Sequence, residues 1–139
     1  MIFIPVAGWI TISLVMLALL NFVLKQISRD YVKGLHKDYK AFTDAYRRFM
    51  QHMIRRHRYF GVAALASFLV HAGLILFFSF GIALTGLITG VLLSAVVSLG
   101  GYGYYVNKDI RSWWVAVHRG CAFALMLSAL VHVFSKVYV

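Results

Sequence analysis

The chain has 139 residues, enough for one domain, and 62% of them are hydrophobic while only 13% are charged. Ordinary globular domains have about 45–50% apolar and about 25% charged residues. Because a chain this short has too little interior to hide the excess from water, lipid must surround much of its surface. The acidic residues are four Asp with no Glu, which leaves few carboxylates for acid–base chemistry, and the single cysteine excludes an intrachain disulfide.

Four apolar segments are long enough to cross a membrane, which takes about 20 mainly apolar residues. The first covers residues 2–24, and it is predicted to be a retained span because it lacks the positive n-region and the cleavage site of a signal peptide. The other predicted spans cover residues 59–80, 81–106 and 113–138. The sequence therefore predicts an all-α fold, a four-helix transmembrane bundle that forms one membrane domain over residues 1–139.

The segment 25–58, between the first two spans, carries ten Lys or Arg and three Asp, a net charge of +7 out of +10 for the chain. Its apolar residues recur every three or four positions, which indicates an amphipathic helical segment. We favour a segment that lies on anionic lipid headgroups; docking of an acidic partner is the second interpretation. Nucleic acid is not an expected partner, because topology already explains basic residues beside a span.

The distribution of charge also predicts the topology. By the positive-inside rule the segment 25–58 is cytoplasmic, as is the loop with Lys108 and Arg111, so both termini lie outside. We expect a multi-pass integral protein of a prokaryotic plasma membrane.

Two pairs of histidines share one spacing. His57 and His71 lie fourteen residues apart in the second span, as do His118 and His132 in the fourth. Fourteen residues of α-helix rise about 21 Å and make almost four complete turns, so each pair shares one helix face at two depths. Because the second and fourth spans run parallel, His57 should face His118 at the inner level, and His71 should face His132 at the outer level.

Two imidazoles at each level are typical of haem ligation. Zinc needs three or four ligands at one point, and non-haem iron also needs a carboxylate, which no span contains. A haem needs only one or two axial ligands. Because the chain has no Cys-x-x-Cys-His motif for covalent attachment, we expect two non-covalent b-type haems, each held by two histidines. The less favoured alternative is that the histidines are polar groups that bond across helices.

Three neighbouring residues are candidates for the same site. Gly61 leaves room for a flat ring beside its helix, and Arg58 and Arg119 follow the inner histidines. The two arginines could pair with haem propionates or extend to the membrane interface, and the sequence favours neither. His36 and His52, which lack matched partners, are expected to be solvated or interfacial.

The two histidine motifs, HRYFGVAALASFLVH and HRGCAFALMLSALVH, are identical at seven of fifteen positions. Paired His-x13-His motifs on parallel membrane helices resemble the dihaem b-type cytochromes. This group includes the cytochrome b core of quinol–cytochrome c reductases and the transmembrane domain of ferric reductases, to which the His-Arg openings are most similar. The resemblance covers residues 57–132, and it implies that His57 and His118 ligate the inner haem while His71 and His132 ligate the outer one.

The predicted function is electron transfer across the membrane through two stacked haems, as a cytochrome b subunit or relay of a membrane redox complex. No residue is singled out as catalytic, and no flavin or nicotinamide motif is present. The expected partners are the lipid bilayer, a redox protein or subunit on the cytoplasmic side, and a donor or acceptor on the outer side. The alternative is a quinol- or metal-oxidoreducing membrane cytochrome with its own substrate site, for which quinone is a candidate ligand.

Overall fold

The structure, a computed structural model, describes residues 2–35, 37–78 and 81–137. It contains four long helices, α1 (Phe3–Asp30), α2 (Lys40–Phe77), α3 (Leu84–Tyr105) and α4 (Trp113–Val137), and the described residues form no strand. Two short 3₁₀ turns, Val32–Gly34 and Lys37–Tyr39, join α1 to α2. All four helices are long and apolar enough to cross a membrane, which confirms the predicted all-α bundle.

The helices form two antiparallel hairpins. The α1 helix packs along α2 and α3 packs along α4, whereas contacts between the two hairpins are sparse. Between the hairpins Gly81 has a φ of 46°, a left-handed conformation that favours glycine. Since consecutive helices run in opposite directions, α2 and α4 are parallel, and their histidines occupy matching depths.

The buried core is a single layer at mid-depth. It consists of Ala64, Leu93 and Leu125, with partly buried apolar side chains from α1, α2 and α3 around it. Ala64 lies seven residues from both histidines of α2, and Leu125 lies seven residues from both histidines of α4. Phe68 packs against the same layer. Protein side chains therefore fill the bundle between the two histidine levels.

The basic segment is helical, as predicted, but it is not a separate helix. Six more residues of α1 follow the predicted span end at residue 24, and α2 begins at Lys40, well before the predicted span start at 59. We call residues 25–56 the projecting hairpin. The hydroxyl of Tyr46 donates to the carbonyl of Leu24 (2.7 Å), and Val32 and Met53 are buried where its two arms meet.

The length of α2 shows how far this hairpin extends. Its 38 residues span about 57 Å, against about 30 Å for a hydrocarbon core. About 25 Å of helix therefore extends past the membrane core, further than the headgroup layer of roughly 5–8 Å. The aromatic residues at this end are exposed, with 73% of Tyr31, 57% of Tyr39 and 56% of Phe42 accessible.

Of the remaining boundaries, α3 begins at Leu84, three residues after the predicted start at 81, and the others agree more closely. The α3 helix ends at Tyr105, one residue before the predicted end at 106, and α4 begins at Trp113 as predicted. The predicted ends at 80 and 138 lie outside the described residues, as does His36.

Candidate cofactor site

Two pairs of histidines face each other across the bundle, one pair on each side of the buried layer. The ring centres of His57 and His118 lie 6.3 Å apart, with the ring planes at 77°. His71 and His132 lie close enough to interact electrostatically. The structure therefore places the four side chains in the two pairs that the sequence predicted, while their role as ligands stays a prediction.

In all four rings Nδ1 is the nitrogen that contacts the neighbouring helix of the same hairpin. The contacts are His57 to the carbonyl of Ala18 (3.1 Å), His71 to the carbonyl of Ile4 (2.9 Å), His118 to the carbonyl of Val96 (3.1 Å) and His132 to the hydroxyl of Thr85 (3.0 Å). A carbonyl oxygen only accepts, so in the first three neutral rings Nδ1–H donates and the free lone pair is on Nε2. Metal-bound histidines commonly donate their other N–H in this way.

The separation of the inner pair suits one metal ion. A ring nitrogen lies about 1.1 Å from the centre of its imidazole, and a metal–imidazole bond measures about 2 Å. Two imidazoles that bind one ion from opposite sides therefore have centres about 6.2 Å apart, close to the 6.3 Å between His57 and His118. Two rings in direct contact can also have centres this far apart. The separation therefore supports ligation only when it is taken together with the Nδ1 contacts.

The hydrogen-bond partners of the histidines show that the internal repeat includes α1 and α3, which the histidine motifs alone did not show. Adding 61 to a residue number of α2 gives the equivalent residue of α4, and adding 78 to a residue number of α1 gives the equivalent residue of α3. The carbonyls of Ala18 and Val96 are equivalent by this rule, and both accept from an inner histidine. The sequence carries a signal for the second relation, the four-residue pattern Gly-x-Ile-Thr at Gly8–Thr11 and again at Gly86–Thr89. The two hairpins are therefore related by a repeat that includes the inner histidines and their acceptors, whereas the outer acceptors, Ile4 and Thr85, are not equivalent.

Glycines of α1 and α3 make room for the histidine rings. A Cβ atom at Gly8 would lie 3.2 Å from Cε1 of His71, and one at the equivalent Gly86 would lie 3.0 Å from Cε1 of His132. Both distances are shorter than ordinary van der Waals contacts. Because these two glycines lack a side chain, the rings can lie against the helix backbone and reach their hydrogen-bond partners. Sequence analysis missed this role of Gly8 and Gly86.

A second repeated interaction lies beside the outer level. The hydroxyl of Thr11 donates to that of Ser67 (2.9 Å) in the first hairpin, and the equivalent hydroxyls of Thr89 and Ser128 lie 2.7 Å apart in the second. Thr11 also contacts the carbonyl of Ala7, and Thr89 that of Thr85. The two Thr–Ser bonds tie each histidine-bearing helix to its partner helix. They fix the register that brings each histidine ring to its acceptor.

A cavity of about 180 Å³ opens at the inner level between α1, α2 and α4. It is lined by His57 and His118, by the cations Lys25 and Arg119, and by Asn21. Asn21 is 7% exposed, and its side-chain oxygen has no hydrogen-bond partner in the described part of the chain. The cavity thus combines both inner imidazoles with two cations and an unpaired buried amide.

Trp114 supplies a second unpaired polar group at this level. It lies one helical turn before His118, with the two ring centres 6.4 Å apart. Its indole nitrogen is buried without an acceptor among residues 2–35, 37–78 and 81–137. Since buried polar groups are nearly always paired, the side chains of Asn21 and Trp114 indicate a polar ligand beside the inner histidines.

The other predicted site residues differ in position. Arg119 lines the inner cavity, whereas Arg58 donates to the hydroxyl of Tyr59 (2.6 Å), with its guanidinium carbon 4.6 Å from the ring centre of Tyr104. A Cβ atom at Gly61 would meet only Val97, at 3.9 Å, so protein contacts do not require a glycine there. Arg119 is therefore better placed than Arg58 to meet an anionic group of a cofactor.

These features fit a haem with two axial imidazoles. The two sparsely joined hairpins each carry a histidine at two levels, and the inner level adds the cations of Lys25 and Arg119 and the unpaired N–H of Trp114, all of which suit a carboxylate. Within the described residues no three or more His, Cys, Asp or Glu side chains form a group that could hold a metal ion alone. A haem, unlike zinc, requires only one or two protein ligands. Comparison with known proteins gives no matching family model, curated protein or solved structure.

Proposed function

We propose that this chain transfers electrons across a membrane through two b-type haems, as a cytochrome b subunit or relay of a membrane redox complex. The observation that carries the proposal is the anchoring of all four histidines through Nδ1 to α1 or α3. This arrangement orients the rings and leaves Nε2 for iron at two depths. When bound, the haems supply one-electron redox chemistry, and the protein sets their position and environment.

Each level has its own set of ligands in this proposal. His57 and His118 hold the inner haem, and the cations of Lys25 and Arg119 offset the negative charge of its propionates. His71 and His132, whose rings lie against Gly8 and Gly86, would hold the outer haem. Cations near the inner site stabilise its more negative, reduced state, so they raise its potential relative to the same site without them.

The distance between the two levels suits transfer inside one bundle. Along α2 and α4 the histidines of a helix are separated by about 21 Å of rise. Ala64, Leu93 and Leu125 exclude water from the layer between the levels. Electrons then cross a short, low-dielectric gap without leaving the protein.

The positive-inside rule supports a cytoplasmic projecting hairpin, and hence an outward-facing outer haem. A donor or acceptor protein reaches the inner haem from the cytoplasmic side in this arrangement. A second donor or acceptor exchanges electrons with the outer haem.

The cofactor content of the full chain, purified in detergent after expression with adequate haem, tests the proposal. We expect two b-type haems per chain by the pyridine haemochrome assay, with low-spin spectra of two axial histidines. The double variant His57→Ala/His118→Ala should retain one haem. The matched control is His52→Ala, an exposed histidine of the same helix, which should retain both. A chain without haem, or with covalently attached haem, contradicts the proposal.

A further inference from the structure

A larger cavity, of about 330 Å³, lies next to the inner cavity on the side of the projecting hairpin. Its walls come from α1, the following 3₁₀ turn, α2 and α4. Four cationic side chains line it: Lys25, Arg29, Lys33 and Arg119. None of its lining residues is acidic. The nearest carboxylate in sequence, Asp30, pairs with the Arg29 side chain at 3.2 Å.

The convergence of these cations goes beyond the positive-inside rule. That rule accounts for many basic residues near a membrane, but not for four of them around one cavity between separate helices. All four side chains are exposed, so water screens part of their mutual repulsion, and an anion between them would offset the rest. A cleft with one sign of charge and apolar walls concentrates ions of the opposite sign.

The other end of the cavity is apolar. Phe22 lines both cavities, and its ring packs edge-on against Phe123 of α4 with the ring centres 5.2 Å apart. Both rings remain 45% exposed, so the seam between α1 and α4 continues as an apolar surface toward the membrane core. The site therefore has cations at its aqueous end and aromatic rings at its membrane end.

We propose that this cavity binds the phosphate group of an anionic phospholipid, with the acyl chains along the seam at Phe22 and Phe123. Basic cavities between membrane helices on the cytoplasmic side bind acidic lipid headgroups in this manner. A free phosphate ion would use the same cations but not the aromatic seam, which is why we assign the lipid. Lys25 and Arg119 also line the inner cavity, whereas Arg29 and Lys33 line only this one, so a test of the lipid site changes Arg29 and Lys33.

Native mass spectrometry of the full chain in detergent tests this assignment, with phosphatidylglycerol and phosphatidylcholine as the probes. We expect one phosphatidylglycerol to stay bound in preference to phosphatidylcholine. The double variant Arg29→Gln/Lys33→Gln removes two cations that line only this cavity, and it should weaken phosphatidylglycerol binding by about thirtyfold. The matched control Lys40→Gln/Arg47→Gln removes the same charges elsewhere on the projecting hairpin, and it should bind like the original chain.

Three results would overturn the assignment. The first is equal retention of the two lipids, and the second is an equal loss in the control variant, which would mean that diffuse charge and not this cavity attracts the lipid. The third is displacement of phosphatidylglycerol by millimolar inorganic phosphate, which would identify a free phosphate site.

Discussion

A single methyl group at Gly86 gives a sharp test of the outer site. The added Cβ of Gly86→Ala would lie 3.0 Å from Cε1 of His132, whereas ordinary contacts begin at 3.4 Å. The ring must therefore retreat by about 0.4 Å, which strains its 3.0 Å contact with the hydroxyl of Thr85. Functional sites hold their ligands to within about 0.5 Å. We expect Gly86→Ala to shift the spectrum and potential of the outer haem, and the bulkier Gly86→Val to remove that haem.

The control for this experiment is Gly101→Ala in the same helix, where an added Cβ meets nothing within 4 Å. Alanine favours a helix over glycine by about 1 kcal/mol in helix interiors, so neither alanine variant should unfold the bundle. Haem content is measured by the pyridine haemochrome assay, and the potentials by redox titration. We expect Gly101→Ala to retain both haems unchanged. If Gly86→Val also retained two haems with unaltered spectra, the placement of His132 as a ligand would be refuted.

Three further predictions address the histidine pairs, the Thr85 hydroxyl and the projecting hairpin. In redox titrations of single variants, His57→Ala and His118→Ala should remove the same haem component, and His71→Ala should remove the other one. If all three variants lost the same haem component, the parallel pairing of the histidines would be contradicted. Thr85→Val removes one hydrogen bond worth about 1 kcal/mol, so the outer haem should be lost more readily on heating while the inner haem is unaffected, as followed by absorbance. Lys40→Glu should slow reduction of the inner haem by an acidic soluble donor at low salt, in stopped-flow measurements, without changing the haem spectra; an equal rate would indicate that no such donor docks there.

Sequence reasoning found the histidines because an ionisable side chain is rare and costly inside a membrane. The same reasoning could not find the groups that orient the histidines. Two of those groups are the carbonyls of Ala18 and Val96, and every residue has a carbonyl, so residue identity does not mark them. The glycines were detectable only by comparing the first and third spans with each other. Their shared Gly-x-Ile-Thr pattern is short, and apolar matches between membrane helices carry little weight.

The ends of the first two helices show a different limit. Hydropathy locates the edge of the membrane, whereas a helix ends where its backbone hydrogen bonds end. No proline or glycine follows Leu24 until Gly34, so nothing in the sequence stops α1 at the membrane edge. The helix continues to Asp30, and Tyr46 and Met53 of α2 pack on it. An amphipathic pattern therefore predicted helical structure correctly, but it did not show that the segment continues α1 and α2 as a hairpin.

The repeated side chains are kept at the outer level and lost at the inner level, although the acceptors of the outer histidines, Ile4 and Thr85, are not equivalent. Gly8, Thr11 and Ser67 have identical residues in the second hairpin, at the positions given by the two offsets. Asn21, by contrast, corresponds to Leu99, and Lys25 corresponds to Gly103, whose missing Cβ leaves room for the indole of Trp114. The offset of 78 between α1 and α3 exceeds the offset of 61 between α2 and α4 by 17 residues, so the first hairpin is 17 residues longer than the second. The projecting hairpin accounts for this difference.

Both hairpins therefore retain the contacts that orient a histidine, while the polar and cationic groups are concentrated at the inner end of the first hairpin. A ligand-holding unit alone does not need this asymmetry, because Val96 anchors His118 as effectively as Ala18 anchors His57. The added groups instead form the two inner cavities and the exposed, basic end of α2. Under the proposed function, this division suits an outer level that serves mainly to hold its haem. It also supports an inner level that, in addition, meets charged molecules from the adjoining aqueous side.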